Sequence, residues 1–268
     1  MATLHFHQIY PYQALPKLAR ETDYSIPKRA KSFCYPFKTA ANKGVYAFPP
    51  INFSIFMSDE YLDIRAEKKE GGTFYKRIPK KQGGANFVLL SDVDKKGSDT
   101  CLSAYRKKIK TSGVGVPESI DVDTFGFYEI MLNVIVEEDP FDFYLQVWLG
   151  GVVDYESAGG ISVKHPTNVD HNSGFICLDA DINTEVWKGW FAVVLKPTRK
   201  EEWIEFNQDK PICQIIGAQV PIEALCTHEF ENLSDRLFFA PLEWHIFEGD
   251  YGLKPGKYQR EVRSSSGK

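Results

Sequence analysis

Apolar and polar residues alternate at a period of two along much of this chain, and turn-forming residues interrupt the alternation. Asn52-Phe53-Ser54-Ile55-Phe56 alternates through five positions, which predicts a half-buried strand with Tyr61–Arg65 as its partner. Gly44–Phe48 reads as another short strand, set apart by Pro49-Pro50. A first strand is predicted around Leu4–Tyr10, followed by irregular chain held by Pro11 and Pro16. The densest signal runs from Gly126 to Gly217. Phe127–Glu137 and Phe141–Val153 are joined by the break Glu138-Asp139-Pro140, and Phe175–Leu178, Gly189–Leu195, Trp203–Phe206 and Pro211–Ile216 follow. No helix of roughly 10–15 residues separates these strands, so the pattern points to stacked sheets and away from βαβ units.

Two stretches break this rhythm. Residues 66–116 hold Lys68, Lys69, Lys76, Arg77, Lys80 and Lys81, the pairs Gly71-Gly72 and Gly83-Gly84, then Arg106, Lys107, Lys108 and Lys110. Within them Phe87–Leu90 reads as a strand, and Ser98–Lys110 as a short helix capped by Ser98 or Asp99 with its cations in the last turn. The segment is expected to be a basic, solvated insertion, with a phosphate-contacting flap as the sharper alternative. From Pro221 onward Ile222–Phe230 and Ser234–Phe247 carry the chain's only helical flavour, and residues 255–268 read as a frayed polar tail. The expected architecture is therefore mainly β: a sandwich or distorted barrel, jelly-roll or β-clip-like, with short C-terminal helices. It forms one domain over residues 1–254 with the basic insertion at 66–116.

Composition narrows the class. The chain has 268 residues, 43% of them hydrophobic, which is enough to bury one sizeable core. Aromatics reach 14%, and flat rings pack well across strands. The net charge of -4 argues against a general nucleic-acid binder, though a local basic patch fits within it. Charged residues or Pro interrupt every apolar run well short of the roughly 18–20 residues of a membrane span. The opening MATLHFHQIY lacks the pattern of a secretory leader, so a soluble, cytoplasmic protein is expected. Five scattered cysteines (Cys34, Cys101, Cys177, Cys213, Cys226) without a C-x-x-C pair read as reduced thiols and not as a disulfide framework.

Three constellations are candidates for chemistry. His165 and His171 with Asp179 and Asp181 bring imidazoles and carboxylates close in sequence, a set able to hold a divalent metal with open positions for a metal-dependent enzyme. The alternative is a polar loop rich in turn formers. His5-Phe6-His7 would place two imidazoles on one face of a strand, where they could converge on an ion; an ordinary edge strand is the plainer reading. Tyr144, Gln146 and Trp148 alternate on one strand, and with Asn168 and Trp190 they suggest a flat wall bearing amides for a sugar, base or other planar ligand. Core packing is the competing account of the same residues. No G-x-S-x-G, Walker loop or G-x-G-x-x-G is present; Gly113-Val114-Gly115-Val116-Pro117 lacks the third glycine and the Lys-Ser/Thr pair.

Cys34-Tyr35-Pro36-Phe37 with Ala41-Asn42-Lys43-Gly44 and Pro49 forms a first recognisable stretch. Phe125-Gly126 leading through Trp148 is a second, and Trp187 with the strand after it, closed by Phe206-Asn207-Gln208-Asp209-Lys210-Pro211-Ile212-Cys213, is a third. In this order they resemble a bacterial family of small all-β proteins known as a domain of unknown function. The resemblance implies a fold class and no activity, and the basic segment departs from it. A weaker similarity is to the β-clip nucleotide enzymes, the trimeric dUTPases and dCTP deaminases, carried by Trp203 to Ile216 with Gln214; their A-x-Y-D-L segment is not matched. The expected function is binding of a small polar or planar ligand. The alternatives are a metal-dependent enzyme and a homo-oligomeric assembly protein built on exposed strand edges.

Overall fold

Backbone groups without partners are costly when buried, so alternating segments settle by pairing. The computed structural model describes residues 2–8, 14–22, 28–67, 72–82, 84–91, 128–138, 141–155, 157, 159–167, 173–185, 187, 190–228, 260 and 263–264. Along them run β1 (Thr3–Gln8), β2 (Lys17–Leu18), α1 (Lys28–Phe33), α2 (Tyr35–Ala41), β3 (Val45–Ala47), β4 (Phe53–Met57), β5 (Tyr61–Glu67), β6 (Thr73–Pro79), β7 (Gly84–Ser91), β8 (Tyr128–Glu138), β9 (Phe141–Tyr155) and β10 (Ile161–Lys164). These are followed by β11 (Phe175–Cys177), β12 (Ala180–Ile182), β13 (Trp190–Pro197), β14 (Trp203–Phe206), β15 (Cys213–Gly217) and β16 (Ala224–His228). The protein is mainly β, as its alternation implies, and its described sheets fit a sandwich and close no barrel.

The strands form three sheets. One has seven strands: the path β11-β13-β9-β1-β16, plus the hairpin β7–β8, which joins through β9. A five-stranded sheet runs β12-β10-β15-β3-β2, and a four-stranded sheet runs β14-β4-β5-β6. A single apolar cluster draws inward side chains from all three, among them Leu4 and Phe6 of β1, Ile55 of β4, Ile64 of β5, Leu145 of β9 and Ile215 of β15. The three sheets therefore share one apolar core.

β9 organises the largest sheet. Its first half pairs with β8, Leu132 opposite Val147 through Glu138 opposite Phe141, and its second half pairs with β1, Leu4 opposite Tyr155 through Gln8 opposite Gly151. Between the halves the register with β13 shifts: Ala192 faces Trp148, while Trp190 faces Val152. Gly150 takes φ of +73° at this bulge, and a Cβ on Gly151 would lie 2.2 Å from the Phe6 ring. The Gly-Gly pair therefore bends the strand and lets β1 lie close against it.

Two expectations need correction. The described part of Ile222–Phe230, residues 222–228, is not helical, because Ala224–His228 forms β16 and runs parallel to β1, with Thr3 opposite Ala224 and His7 opposite His228. The free edge of β1 offers a row of unpaired backbone groups, and satisfying them outweighs a weak local helix preference. The described helices α1 and α2 lie early in the chain, before β3, where only strands and loops were expected. The basic segment is partly built into the sheets: β6 edges the four-stranded sheet and β7 pairs along the length of β8. The expected helix at Ser98–Lys110 and the segment Ser234–Phe247 lie outside the described residues.

Candidate functional site

Side chains alternate across a strand, so one face of β9 supplies the core and the other is left for different work. Phe143, Leu145 and Val147 are buried in the core cluster. Tyr144, Gln146 and Trp148 occupy the opposite face of the same strand; Tyr144 and Gln146 are half-buried, while Trp148 is only 5% exposed. Lys196 on β13 reaches over this row, its Nζ 5.5 Å from the centre of the Tyr144 ring and 2.7 Å from Asp142 Oδ2. The hydrogen bond to Asp142, followed by that carboxylate's charge, holds the Lys196 ammonium above its ordinary value. An aromatic ring, an amide, an indole and a cation thus stand along one line.

Further along the same face the register places His5 and His7 of β1 opposite Asp154 and Val152 of β9. His228 of β16 completes a stack of three imidazoles. The His7 and His228 rings are 4.4 Å apart and within 10° of parallel, and His5 and His228 are 5.2 Å apart at 18°. His5 Nδ1 and His228 Nε2 lie 2.9 Å apart, so one nitrogen donates and the other accepts. His7 is only 1% exposed. The His-x-His spacing of β1 was legible in sequence. The third ring was not, because it belongs to the stretch read as helical.

The remaining predicted positions fall elsewhere. Trp190 stands on β13 opposite Val152. Asn168 and His171 lie outside the described residues. His165 is half-buried in the turn after β10, where its Nδ1 accepts the Cys177 N–H at 3.2 Å and its ring meets Phe175 edge-on at 5.8 Å. Asp181 on β12 accepts the Ser162 hydroxyl of β10, and Asp179 is exposed between β11 and β12. Among the described residues no three His, Cys, Asp or Glu side chains gather as a cation cage. Burial, followed by the Asp179 charge, pushes the Cys177 thiol up to about 12, and burial raises Cys213 well above its ordinary value. Neither carries a thiolate at neutral pH.

Gln214, singled out in the sequence, is a buried clamp. Its Nε2 donates to the Lys43 carbonyl at 2.6 Å and its Oε1 accepts the Thr167 N–H at 3.0 Å. It ties the turn after α2 to the turn after β10. Beside that clamp a cleft of about 510 Å³ opens between α2 and the end of β15, a feature that no sequence motif announced. Among the described residues no helix is long and apolar enough to cross a membrane. Comparisons of the chain with protein-family models, curated proteins and solved structures give no match.

Proposed function

We propose that this protein binds a small polar or planar ligand against the second face of its seven-stranded sheet, with Tyr144, Gln146 and Trp148 as the wall and Asn168 and Trp190 as further contacts. The observation that supports this reading is the row itself: two aromatic side chains and an amide on β9, turned away from the apolar cluster that the same strand feeds. Tyr144 and Gln146 are only half-buried, unlike Phe143, Leu145 and Val147, which the core encloses fully. Stacking on Tyr144 supplies apolar contact, Gln146 selects orientation by hydrogen bonding, and the Lys196 ammonium favours an electron-rich ring or an anionic substituent.

A thermal-shift screen over nucleosides, sugars and aromatic acids tests the reading. The native protein should show a ligand-dependent rise in Tm. Tyr144→Ser and Gln146→Leu, at half-buried positions, should unfold as cooperatively as the native protein while losing about tenfold or more in affinity. Trp148→Ala should abolish the shift. A broad screen with no shift on the native protein would end the proposal.

A further inference from the structure

We infer that the cleft between α2 and the end of β15 is a binding site for a small phosphate monoester carrying a planar or apolar body. Helical spacing puts Tyr35, Lys38, Thr39 and Asn42 on one face of α2 and its cap, and all four line this cleft. Ile216, Gly217 and Ile222 contribute an apolar floor. Among the described residues Lys38 and Lys43 are the only charged side chains on its walls, and neither is ion-paired. Two unneutralised ammonium groups over an apolar floor favour an anion attached to a hydrophobic group. At about 510 Å³ the space suits a molecule of that size.

The walls are fixed from behind. Gln214 grips the Lys43 carbonyl, and the Tyr46 hydroxyl donates to the Ala41 carbonyl at 3.2 Å, closing the last turn of α2. Gly44 follows with φ of +67°, and a Cβ there would lie 2.0 Å from the Ile215 carbonyl oxygen, so glycine alone lets this turn press against β15. The two lysine stems therefore leave a backbone anchored at the C-terminal end of α2 and in the turn after it. A phosphate monoester, with roughly −1.5 to −2 charge at neutral pH, matches two ammonium groups in charge, and Tyr35 at the rim offers a ring for its body. This site shares no residue with the β9 wall, so each can fail without the other.

Calorimetric titration of the full chain at low ionic strength, with phenyl phosphate, inorganic phosphate and phenol as probes, tests the inference. Phenyl phosphate should bind saturably, and phenol and inorganic phosphate each about tenfold more weakly or worse. The exposed pair Lys38→Ala/Lys43→Ala should weaken phenyl phosphate about tenfold or more, while Lys38→Arg/Lys43→Arg keeps affinity within about threefold. Unchanged circular dichroism in both variants separates loss of binding from loss of fold. No saturable binding to the native protein, or equal affinity in the alanine pair, overturns the site. Inorganic phosphate binding as tightly as phenyl phosphate overturns the role of the apolar floor.

Discussion

Cys177 and Cys213 show how completely burial decides the chemistry of one side chain. Both are buried, whereas Cys34 and Cys226 are exposed. A thiol-specific colorimetric reagent should therefore modify Cys34 and Cys226 rapidly in the native protein. Cys177 and Cys213 should react only as denaturant unfolds it, because attack requires the thiolate. Rapid native labelling of Cys177, read by peptide mass spectrometry, would contradict the burial seen here. Residue types in sequence hinted at this much, since scattered cysteines suggest buried thiols. They could not separate the four described ones into two pairs, because exposure depends on which strand faces which sheet.

The hairpins of the four-stranded sheet show the same limit one level up. Alternation in Asn52–Phe56 fixed β4 and its partner β5, since a one-residue slip would carry Ile55 and Ile64 out of the core. It was silent on what the opposite face of β5 would hold. There Asp63 accepts two hydrogen bonds from Arg77 on β6, Nε to Oδ1 and Nη2 to Oδ2, both at 2.7 Å. Arg77 also lies 3.7 Å from the centre of the Tyr61 ring. Burial pushes the Asp63 carboxyl upward, but the hydrogen bonds from Arg77 and Tyr75 and the guanidinium charge prevail and hold it below the ordinary carboxylate value. A carboxylate with a depressed pKa stabilises the fold above its unfolded-state pKa, and that contribution disappears as pH falls through the folded-state value. Urea midpoints should accordingly drop as pH falls below the ordinary carboxylate range, and Asp63→Asn should flatten that part of the curve. An unchanged acid slope in the variant would assign the effect to other carboxylates. The β9 wall was more legible than this pair because its members sit two apart on one strand. The imidazole stack and the cleft by α2 were less so, since each joins residues far apart in the chain.

At the scale of the molecule, one apolar cluster spans three sheets, so damage anywhere inside it should be felt everywhere. Phe6 is 1% exposed in that cluster and packs where β9 bends. Phe6→Ala should cost about 3–5 kcal/mol and lower the single unfolding transition as a whole. Two separate transitions in the variant would show that the sheets unfold independently, against the shared core. The sequence made the mainly-β class plain because period-two patterning is local. Sheet membership depends on pairings between distant segments, and local patterning carries no record of them.

The parallel pairing of β1 with β16 also has a temporal side. Thr3 and its partner Ala224 are 221 residues apart in the chain. At about 5–20 residues per second of synthesis, roughly 10–45 s pass between making the two. β1 thus waits long after its own synthesis for the strand that covers its outer edge, and that edge stays open to chaperones, or to a neighbouring nascent chain, throughout the interval.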